Sequence, residues 1–175
     1  MHRKKLIIIG VITFIINYLL DFFTKIYAVA FIKGKPPVYY LYDTIMIYYA
    51  ENSGAFLSMG SQWPLFIKYI LLVIIPLLVC LYGIYYCLFK EENIIRLVLI
   101  MSIVAGGLGN LVDRLFNNFV VVDFLNFGIG SLRTGILNVA DMSVTFGVLF
   151  LVFYEMRYGK RKGADNNTDE QQAVN

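Results

Sequence analysis

The segment GGLGNLVDRLFNNFVVVDFLNF, residues 106–127, begins as an apolar and glycine-rich helical pattern. Polar and charged side chains interrupt it at Asn110, Asp113 and Arg114, and Asp123 lies inside a second apolar run. Ionisable groups in strongly apolar segments are costly to bury, so they usually mark a transport pathway or a reacting centre. We therefore expect the activity of this chain to depend on this segment.

The composition indicates an integral membrane protein. Of the 175 residues, 59% are hydrophobic and only 15% are charged, and the mean hydropathy is +0.69. A soluble fold of this length would have to bury nearly every long apolar run in a modest core, whereas a bilayer accepts them directly. We predict one membrane domain over residues 1–157 and a polar, disordered cytoplasmic tail over residues 158–175.

Four apolar runs are long enough to cross a hydrocarbon core, which needs roughly 20 helical residues. They cover about residues 6–32, 65–89, 95–115 and 136–156. The predicted fold class is therefore an all-α membrane protein, a bundle of four transmembrane helices. Pro64 fits the first position of the second helix, and Pro76 predicts a kink within that helix.

The segments between the helices differ in character. Residues 38–49 are rich in Tyr, Ile and Val, which favours strands over a crossing helix. We predict a small β-sheet or amphipathic platform there, at the extracytoplasmic surface of the membrane. Residues 116–135 are predicted to form a connection whose three glycines make the backbone flexible.

The basic residues predict the orientation of the chain. Four crossings place both termini on one side, and nine of the fifteen Lys and Arg residues flank the helices on that side. They are Arg3, Lys4, Lys5, Lys90, Arg96, Arg157, Lys160, Arg161 and Lys162. Because short cytoplasmic flanks carry an excess of Lys and Arg, both termini are predicted to be cytoplasmic, with residues 106–127 ending at the outer face.

Carboxylates from different parts of the chain converge at this outer face. Asp21 and Lys25 are four residues apart on the first helix, and Asn138 and Asp141 are one turn apart at the start of the fourth. Asp123 and Asp141 are the pair that best suits acid and base chemistry. Two close carboxylates in a poorly solvated site share one proton, so one can accept a proton from water while the other donates one. Aspartic peptide hydrolysis works in this way and requires no metal or cofactor.

Other functions remain open at this point. The only histidine is His2, near the predicted cytoplasmic end. This excludes a Ser-His-Asp triad and a histidine-ligated zinc site within the membrane region. A serine and lysine pair could use Ser53 or Ser58 with Lys25, although Asp21 would keep that lysine charged. A small transporter or channel component would use the same carboxylates to relay ions, and an inactive scaffold is a third possibility.

Five blocks of the sequence carry a family resemblance. In chain order they are Asp21-Phe-Phe-Thr-Lys25, Asn52-Ser-Gly-Ala55, Gly109-Asn-Leu-Val-Asp-Arg114, Val122-Asp-Phe124 and Asn138-Val-Ala-Asp141. Together, over about residues 6–156, they resemble lipoprotein signal peptidase, or signal peptidase II, a family of bacterial membrane aspartic proteases. Each block alone is weakly specific, whereas all five in this order and spacing are highly specific.

The resemblance implies a role for each matching residue. It implies Asp123 and Asp141 as the catalytic pair and Asp21 with Lys25 as a structural polar pair. The residues implied to line or orient the site are Asn52, Gly54, Asn110, Asp113, Arg114 and Asn138. Phe56 departs from the family pattern, which usually has a small residue there, and this departure affects the expected substrate range.

The resemblance also implies the setting of the reaction. The expected substrates are prolipoproteins that carry a diacylglyceryl-cysteine, with membrane lipid as the other partner and no nucleic acid, metal or cofactor. The expected location is the bacterial inner membrane, with the active site near the outer face and the enzyme working as a monomer.

Simpler structural explanations compete for most of these residues. Asp113 and Arg114 could pair with other helices, and Asn110 and Asn138 could hold helices together through amide contacts. Asp141 could be a first-turn acid that is favoured by the helix dipole. An unpaired carboxylate between Val122 and Phe124 has no such explanation, so Asp123 carries the strongest functional signal.

Overall fold

The structure is a computed structural model, and it describes residues 2–55 and 58–159. In this part of the chain four long helices form a bundle, as predicted. They are α1 (His2–Phe31); α2 (Leu65–Tyr69), which continues through a π-helical turn (Ile70–Ile74) into α3 (Ile75–Phe89); α4 (Ile94–Phe116); and α5 (Val139–Tyr154), which ends in a π-helical turn (Glu155–Gly159). Each is long and apolar enough to cross a membrane.

Helix α4 lies at the centre of the bundle, because it packs against α1, α3 and α5. A buried cluster of Leu6, Cys87, Leu97 and Met101 joins α1, α3 and α4 at one end. Toward the other end, Gly109 lets α1 approach closely, since a Cβ at this position would lie 2.6 Å from Asp21 Oδ2. The outward faces of the helices carry many exposed large hydrophobic side chains, which suits contact with lipid.

The structure differs from the predictions for Pro64 and Pro76 in the second crossing helix. Pro64 has φ −52° and ψ 144°, so it precedes the helix, and the prediction that it occupies the first helical position is wrong by one residue. The irregularity predicted at Pro76 takes the form of the π-helical turn immediately before it. Pro76 has no N–H, and its ring crowds the carbonyl of Leu72, so the preceding turn widens.

The fourth helix begins three residues later than predicted, at Val139. Leu137 is still extended, because its N–H and carbonyl bond to Leu125 in an isolated antiparallel bridge. Asn138 then caps the helix. Of the predicted tail, residues 160–175 lie outside the described residues.

The strands form one antiparallel sheet with the order β1-β2-β3-β4. They are β1 (Val38–Tyr40), β2 (Ile45–Asn52), β3 (Val121–Ile129) and β4 (Leu132–Arg133). The small predicted sheet is confirmed, but the prediction of a flexible connection over residues 116–135 is wrong. The β-branched residues at 120–122 and a turn at Gly130, which has φ 57°, place a long buried strand there.

The register of the sheet places two site residues side by side. Ala50 lies opposite Asp123, and Asn52 lies opposite Val121. Directly opposed residues share one face of a sheet, so Asn52 and Asp123 are diagonal neighbours on that face. One extra residue in β2 between Ile47 and Ala50 shifts the register just before this point, and such bulges often re-aim side chains near active sites.

The two ends of the bundle differ chemically. At one end, the Arg3 guanidinium donates to the carbonyls of Leu88 and Glu91, which ties α1 to the turn between α3 and α4. Asn93 caps α4 at this end and donates to the Tyr154 hydroxyl of α5. At the opposite end, the C-terminal half of α1, the sheet and the first turn of α5 meet, and the candidate site lies there.

Candidate active site

Local structure at the start of α5 fixes Asp141. The Asn138 Oδ1 atom accepts a hydrogen bond from the backbone N–H of Asp141 at 2.8 Å. In return, Asp141 Oδ2 accepts from the backbone N–H of Asn138 at 3.3 Å. This capping box satisfies two N–H groups that the helix leaves unpaired, and it leaves Asp141 Oδ1 available for another partner.

The sheet fixes Asp123, which is only 2% exposed. Asn52 Nδ2, from the neighbouring strand, donates to Asp123 Oδ2 at 3.0 Å. Asn138 Nδ2 donates to Asp123 Oδ1 at 2.7 Å. Neutral amides therefore hold both oxygens of this carboxylate between β2 and the start of α5.

Asp123 and Asp141 line one cavity of about 50 Å³. Its other lining residues are Asn52, Ala55, Asn110, Arg114, Val121, Ile136 and Leu137. A polar cavity of this size has room for very few water molecules. The arrangement therefore places two carboxylates beside a small, poorly solvated space.

Burial shifts the proton affinity of Asp123, which lies in the sheet. Burial, together with the negative charge of Asp141, raises the pKa of the Asp123 carboxyl from 3.8 to about 7. Hydrogen bonds from Asn52 and Asn138 and the charge of Lys25 act in the opposite direction. At neutral pH one proton is therefore available to the two carboxylates, as aspartic hydrolysis requires.

Arg114 places a positive charge beside the cavity. Its guanidinium donates to the Gly54 carbonyl at 2.8 Å and to the Asn110 carbonyl at 3.3 Å. Gly54 has no room for a side chain, because a Cβ would lie 2.5 Å from the carbonyl oxygen of Met59. Gly54 itself does not line the cavity, and it acts through its backbone by binding Arg114 and Asn52.

A second polar cluster lies on the other side of Asn110. Lys25 Nζ is 2.7 Å from Asp21 Oδ2 and 2.7 Å from Asp113 Oδ2, and it donates to Asn110 Oδ1 at 3.0 Å. Asp113 therefore belongs to this cluster rather than to the lining of the cavity. Lys25 is already engaged by two carboxylates and an amide, which argues against its use as the base for Ser53 or Ser58.

The structure brings together most of the predicted site residues and adds some that the sequence did not reveal. Ala55, Val121, Ile136 and Leu137 form the apolar walls of the cavity. Asn126 is buried, and its side chain binds the backbone carbonyls of Thr134 and Gly135, which holds the segment that carries Ile136 and Leu137. A polar residue in the apolar pattern of β3 was the available signal for Asn126.

Two further predictions concern absent groups and one unusual residue. Within residues 2–55 and 58–159, no three His, Cys, Asp or Glu side chains are grouped so that they could hold a metal ion. Phe56, the residue that departs from the family pattern, lies outside the described residues.

Known proteins resemble the chain over nearly its whole length. The family model described as Signal peptidase (SPase) II matches residues 7–157. A lipoprotein signal peptidase of Borrelia hermsii is 31% identical over 168 residues, covering 93% of this chain and 97% of its own. The lipoprotein signal peptidase of Borreliella burgdorferi is 32% identical over 170 residues, covering 93% and 98%.

Structural comparison supports the same fold. A solved structure described as a bacterial membrane enzyme superposes with a TM-score of 0.76, at 24% identity, over 87% of this chain and 90% of that chain. The predicted family and the predicted multi-pass membrane character are thus confirmed. The chain belongs to the signal peptidase II family.

Proposed function

We propose that this chain is a membrane aspartic endopeptidase that removes the signal peptide from diacylglyceryl-modified prolipoproteins, with Asp123 and Asp141 as its catalytic pair. Cleavage occurs on the amino side of the lipid-modified cysteine. One observation carries the proposal: two carboxylates from different elements border one small cavity, and neutral amides are their nearest hydrogen-bond donors. Membership of the signal peptidase II family supports the substrate class.

The proposed reaction conserves the single proton of the pair. The ionised carboxylate takes one proton from a water molecule while the water oxygen bonds to the scissile carbonyl carbon. The bond between that carbon and the amide nitrogen then breaks, and the protonated carboxyl gives its proton to the leaving amine. The new carboxylic acid releases the second water proton to solvent. The pair again holds one proton, with the two roles exchanged.

Neighbouring polar groups prepare the pair for this reaction. Asn52, Asn110 and Asn138 fix the carboxylates with amide donors, which avoids the cost of reorienting water during the reaction. Arg114 supplies positive charge at the edge of the cavity. Negative charge develops on the substrate carbonyl oxygen as water attacks, so a cation at this edge favours the tetrahedral intermediate.

The proposed location is the bacterial inner membrane, with both termini in the cytoplasm and the site near the outer face. The excess of basic residues at the end that holds Arg3, Lys90 and Arg157 supports this orientation. A membrane-impermeant maleimide tests it in intact cells that lack the outer membrane. Tyr42→Cys should be labelled and Lys90→Cys should be protected, whereas the reverse pattern would invert the topology.

The proposed working unit is a monomer whose activity resides in residues 1–157. All the named carboxylates and amides come from one chain, so the site needs no second copy. The apolar outer faces of the helices suit lipid, where the acyl chains of the substrate also lie. A cleavage assay in nanodiscs that hold one copy each tests this proposal, and activity found only in nanodiscs that hold two cross-linked copies would contradict it.

The function is tested by giving purified enzyme a diacylglyceryl-modified prolipoprotein and the same precursor without lipid. Wild type should release the signal peptide from the modified precursor alone, with the mature protein beginning at the modified cysteine. Equal cleavage of both precursors would reject the lipid requirement. Failure of wild type to cleave, together with ion movement across vesicles, would favour a transporter instead.

A further inference from the structure

Three asparagine side chains orient the catalytic carboxylates in the same way. In each one, the amide oxygen accepts a hydrogen bond from a donor on one side, and the amide nitrogen donates to a carboxylate on the other. An amide side chain can rotate by half a turn and exchange its oxygen for its nitrogen. A firm donor at the oxygen therefore decides whether the carboxylate meets N–H groups or a repulsive oxygen.

Backbone groups orient two of the three asparagines. Asn52 Oδ1 accepts from the backbone N–H of Gly54 at 3.0 Å, and Asn138 Oδ1 accepts from the backbone N–H of Asp141 at 2.8 Å. Their nitrogens then face the two oxygens of Asp123. The sheet and the helix cap hold these donors, so no side chain is needed to keep the two amides in place.

A side chain orients the third. Lys25 Nζ donates to Asn110 Oδ1 at 3.0 Å, and Asn110 Nδ2 donates to Asp141 Oδ1 at 2.7 Å. A lysine ammonium has only donors, so it can bind the oxygen of this amide but not its nitrogen. Asn138 Nδ2 also lies 3.1 Å from Asn110 Oδ1, but the same nitrogen is 2.7 Å from Asp123 Oδ1, so its hold on Asn110 is shared.

The surroundings of Lys25 fix the direction of this donor. Its ammonium nitrogen forms ion pairs at 2.7 Å with a carboxylate oxygen of Asp21 and one of Asp113, and it donates a hydrogen bond to Asn110 Oδ1. Asp21 is itself anchored, since its Oδ1 accepts from the backbone N–H of Ala140 at 2.8 Å. Lys25 is 5% exposed and does not line the catalytic cavity. Two ion pairs therefore hold the ammonium group at the place where it donates to Asn110.

We propose that Lys25 is a positioning residue for catalysis: it sets the orientation of the Asn110 amide, so that Asn110 presents N–H groups rather than oxygen to Asp141. This inference rests on the proposed catalytic role of Asp123 and Asp141 and assigns to the polar pair in α1 a task beyond holding the bundle together. Without Lys25, rotation of Asn110 would place an oxygen against the Asp141 carboxylate, and the pair would lose its productive geometry.

The first test is the kinetics of Lys25→Met on the lipid-modified precursor. We expect kcat to fall about 10- to 100-fold, the scale of a misplaced catalytic group, with little change in KM, because Lys25 lies outside the cavity. Lys33→Met is the matched control, since Lys33 is exposed and pairs with Glu51. A folded Lys25→Met enzyme with kcat within twofold of wild type would overturn the proposal.

The second test asks whether Lys25 acts through Asn110. Asn110→Ala removes the amide, so adding Lys25→Met to it should reduce kcat by less than about twofold further. A purely structural lysine would lower kcat by the same factor in both backgrounds, and that result would overturn the proposal. Lys25→Arg, which keeps a charged donor, should recover part of the activity that Lys25→Met loses.

A third variant separates positioning from folding. Lys25→Met leaves Asp21 and Asp113 without their cation, so the triple variant Asp21→Asn, Lys25→Met, Asp113→Asn removes all three charges together. It should fold and still show the loss in kcat, and wild-type kcat in this variant would contradict the proposal. Wild-type cleavage of the same precursor is the positive control. If wild type does not cleave it, the proposed function is wrong, whereas a failure of the Lys25 proposal alone leaves wild-type cleavage intact.

Discussion

Two pairs of aspartates lie on opposite sides of Asn110, and they differ in what holds them. Asp21 and Asp113 share Lys25, whose ammonium nitrogen is 2.7 Å from an oxygen of each. Asp123 and Asp141 border the cavity, and their carboxylates accept hydrogen bonds from neutral side-chain amides. The same residue type thus occurs in two electrostatic settings within one end of the bundle.

The two pairs differ in whether a cation compensates their charge or the carboxylates share a proton. A lysine between two carboxylates compensates their charge, so this group serves the structure. Amides satisfy hydrogen bonds without supplying a charge, so two carboxylates beside one small cavity compete for a single proton. Proton sharing, rather than burial alone, distinguishes the proposed reactive pair from the structural one.

The largest expected effect comes from removing a member of the cavity pair. Asp123→Asn cannot exchange protons, so kcat should fall at least about a thousandfold while the protein stays folded. Asp43→Asn is the matched control, because Asp43 is an exposed aspartate in the turn between β1 and β2. Cleavage of a lipid-modified prolipoprotein measures the kcat of both variants. Near wild-type activity of Asp123→Asn would show that the cavity pair is not catalytic.

A change in the lysine-bound pair should act mainly on stability. Asp21→Asn removes one charge partner of buried Lys25 and should cost about 2–4 kcal/mol, or a fall in Tm of about 5–10 °C. The folded variant should keep kcat within about tenfold, because Asp113 still holds Lys25. Thermal unfolding in detergent and kinetics below Tm check this, and a lost kcat with unchanged Tm would assign Asp21 to the chemistry.

The pH dependence should follow the cavity pair. Because the pKa of Asp123 is raised to about 7, this carboxyl is protonated below that pH and ionised above it. Above pH 7 both carboxylates become ionised and no proton remains for the leaving amine. The value of kcat/KM should therefore fall by about tenfold per pH unit above this point. A profile from pH 5 to 9 that rises through neutrality would contradict the assignment.

The smallest effect is expected from a charge pair in water. Lys33 Nζ and Glu51 Oε1 are 2.8 Å apart, yet both side chains are about half exposed. Hydration offsets most of such an attraction. Glu51→Gln should leave Tm and kcat unchanged within error. A large loss of either would show that this exposed ion pair contributes as much as the buried ion pairs of Lys25.

The sequence predicted the helices well because their signal is strong. Runs of about 20 apolar residues interrupted by few charges permit little besides crossing helices, and the observed ends differ from the predicted ones by a few residues. The start of α5 moved to Val139 because Asn138 caps it and Leu137 pairs with β3. Such contacts depend on a distant strand, which a helical pattern cannot reveal.

The sequence identified the aspartates of the site, but it did not show which of them lie next to each other. Motif spacing identified Asp113 and Asp123 alike as site residues, and only the packing of α1 against α4 places Asp113 on Lys25. Strand β3 was missed because only Asp123 and Asn126 interrupt its apolar run, and such a run has no alternating pattern. Distances between residues far apart in the chain were therefore needed to separate the two pairs.

One pair of matched substitutions tests the central claim most directly: kcat of Asp141→Asn against kcat of Asp113→Asn on the same lipid-modified precursor. Each removes one carboxylate charge from one pair, and the two residues lie on opposite sides of Asn110. Asp141→Asn should lose at least about a thousandfold, while Asp113→Asn should keep at least about a tenth of wild-type kcat. Equal losses, or cleavage by Asp141→Asn at near wild-type rate, would contradict the account.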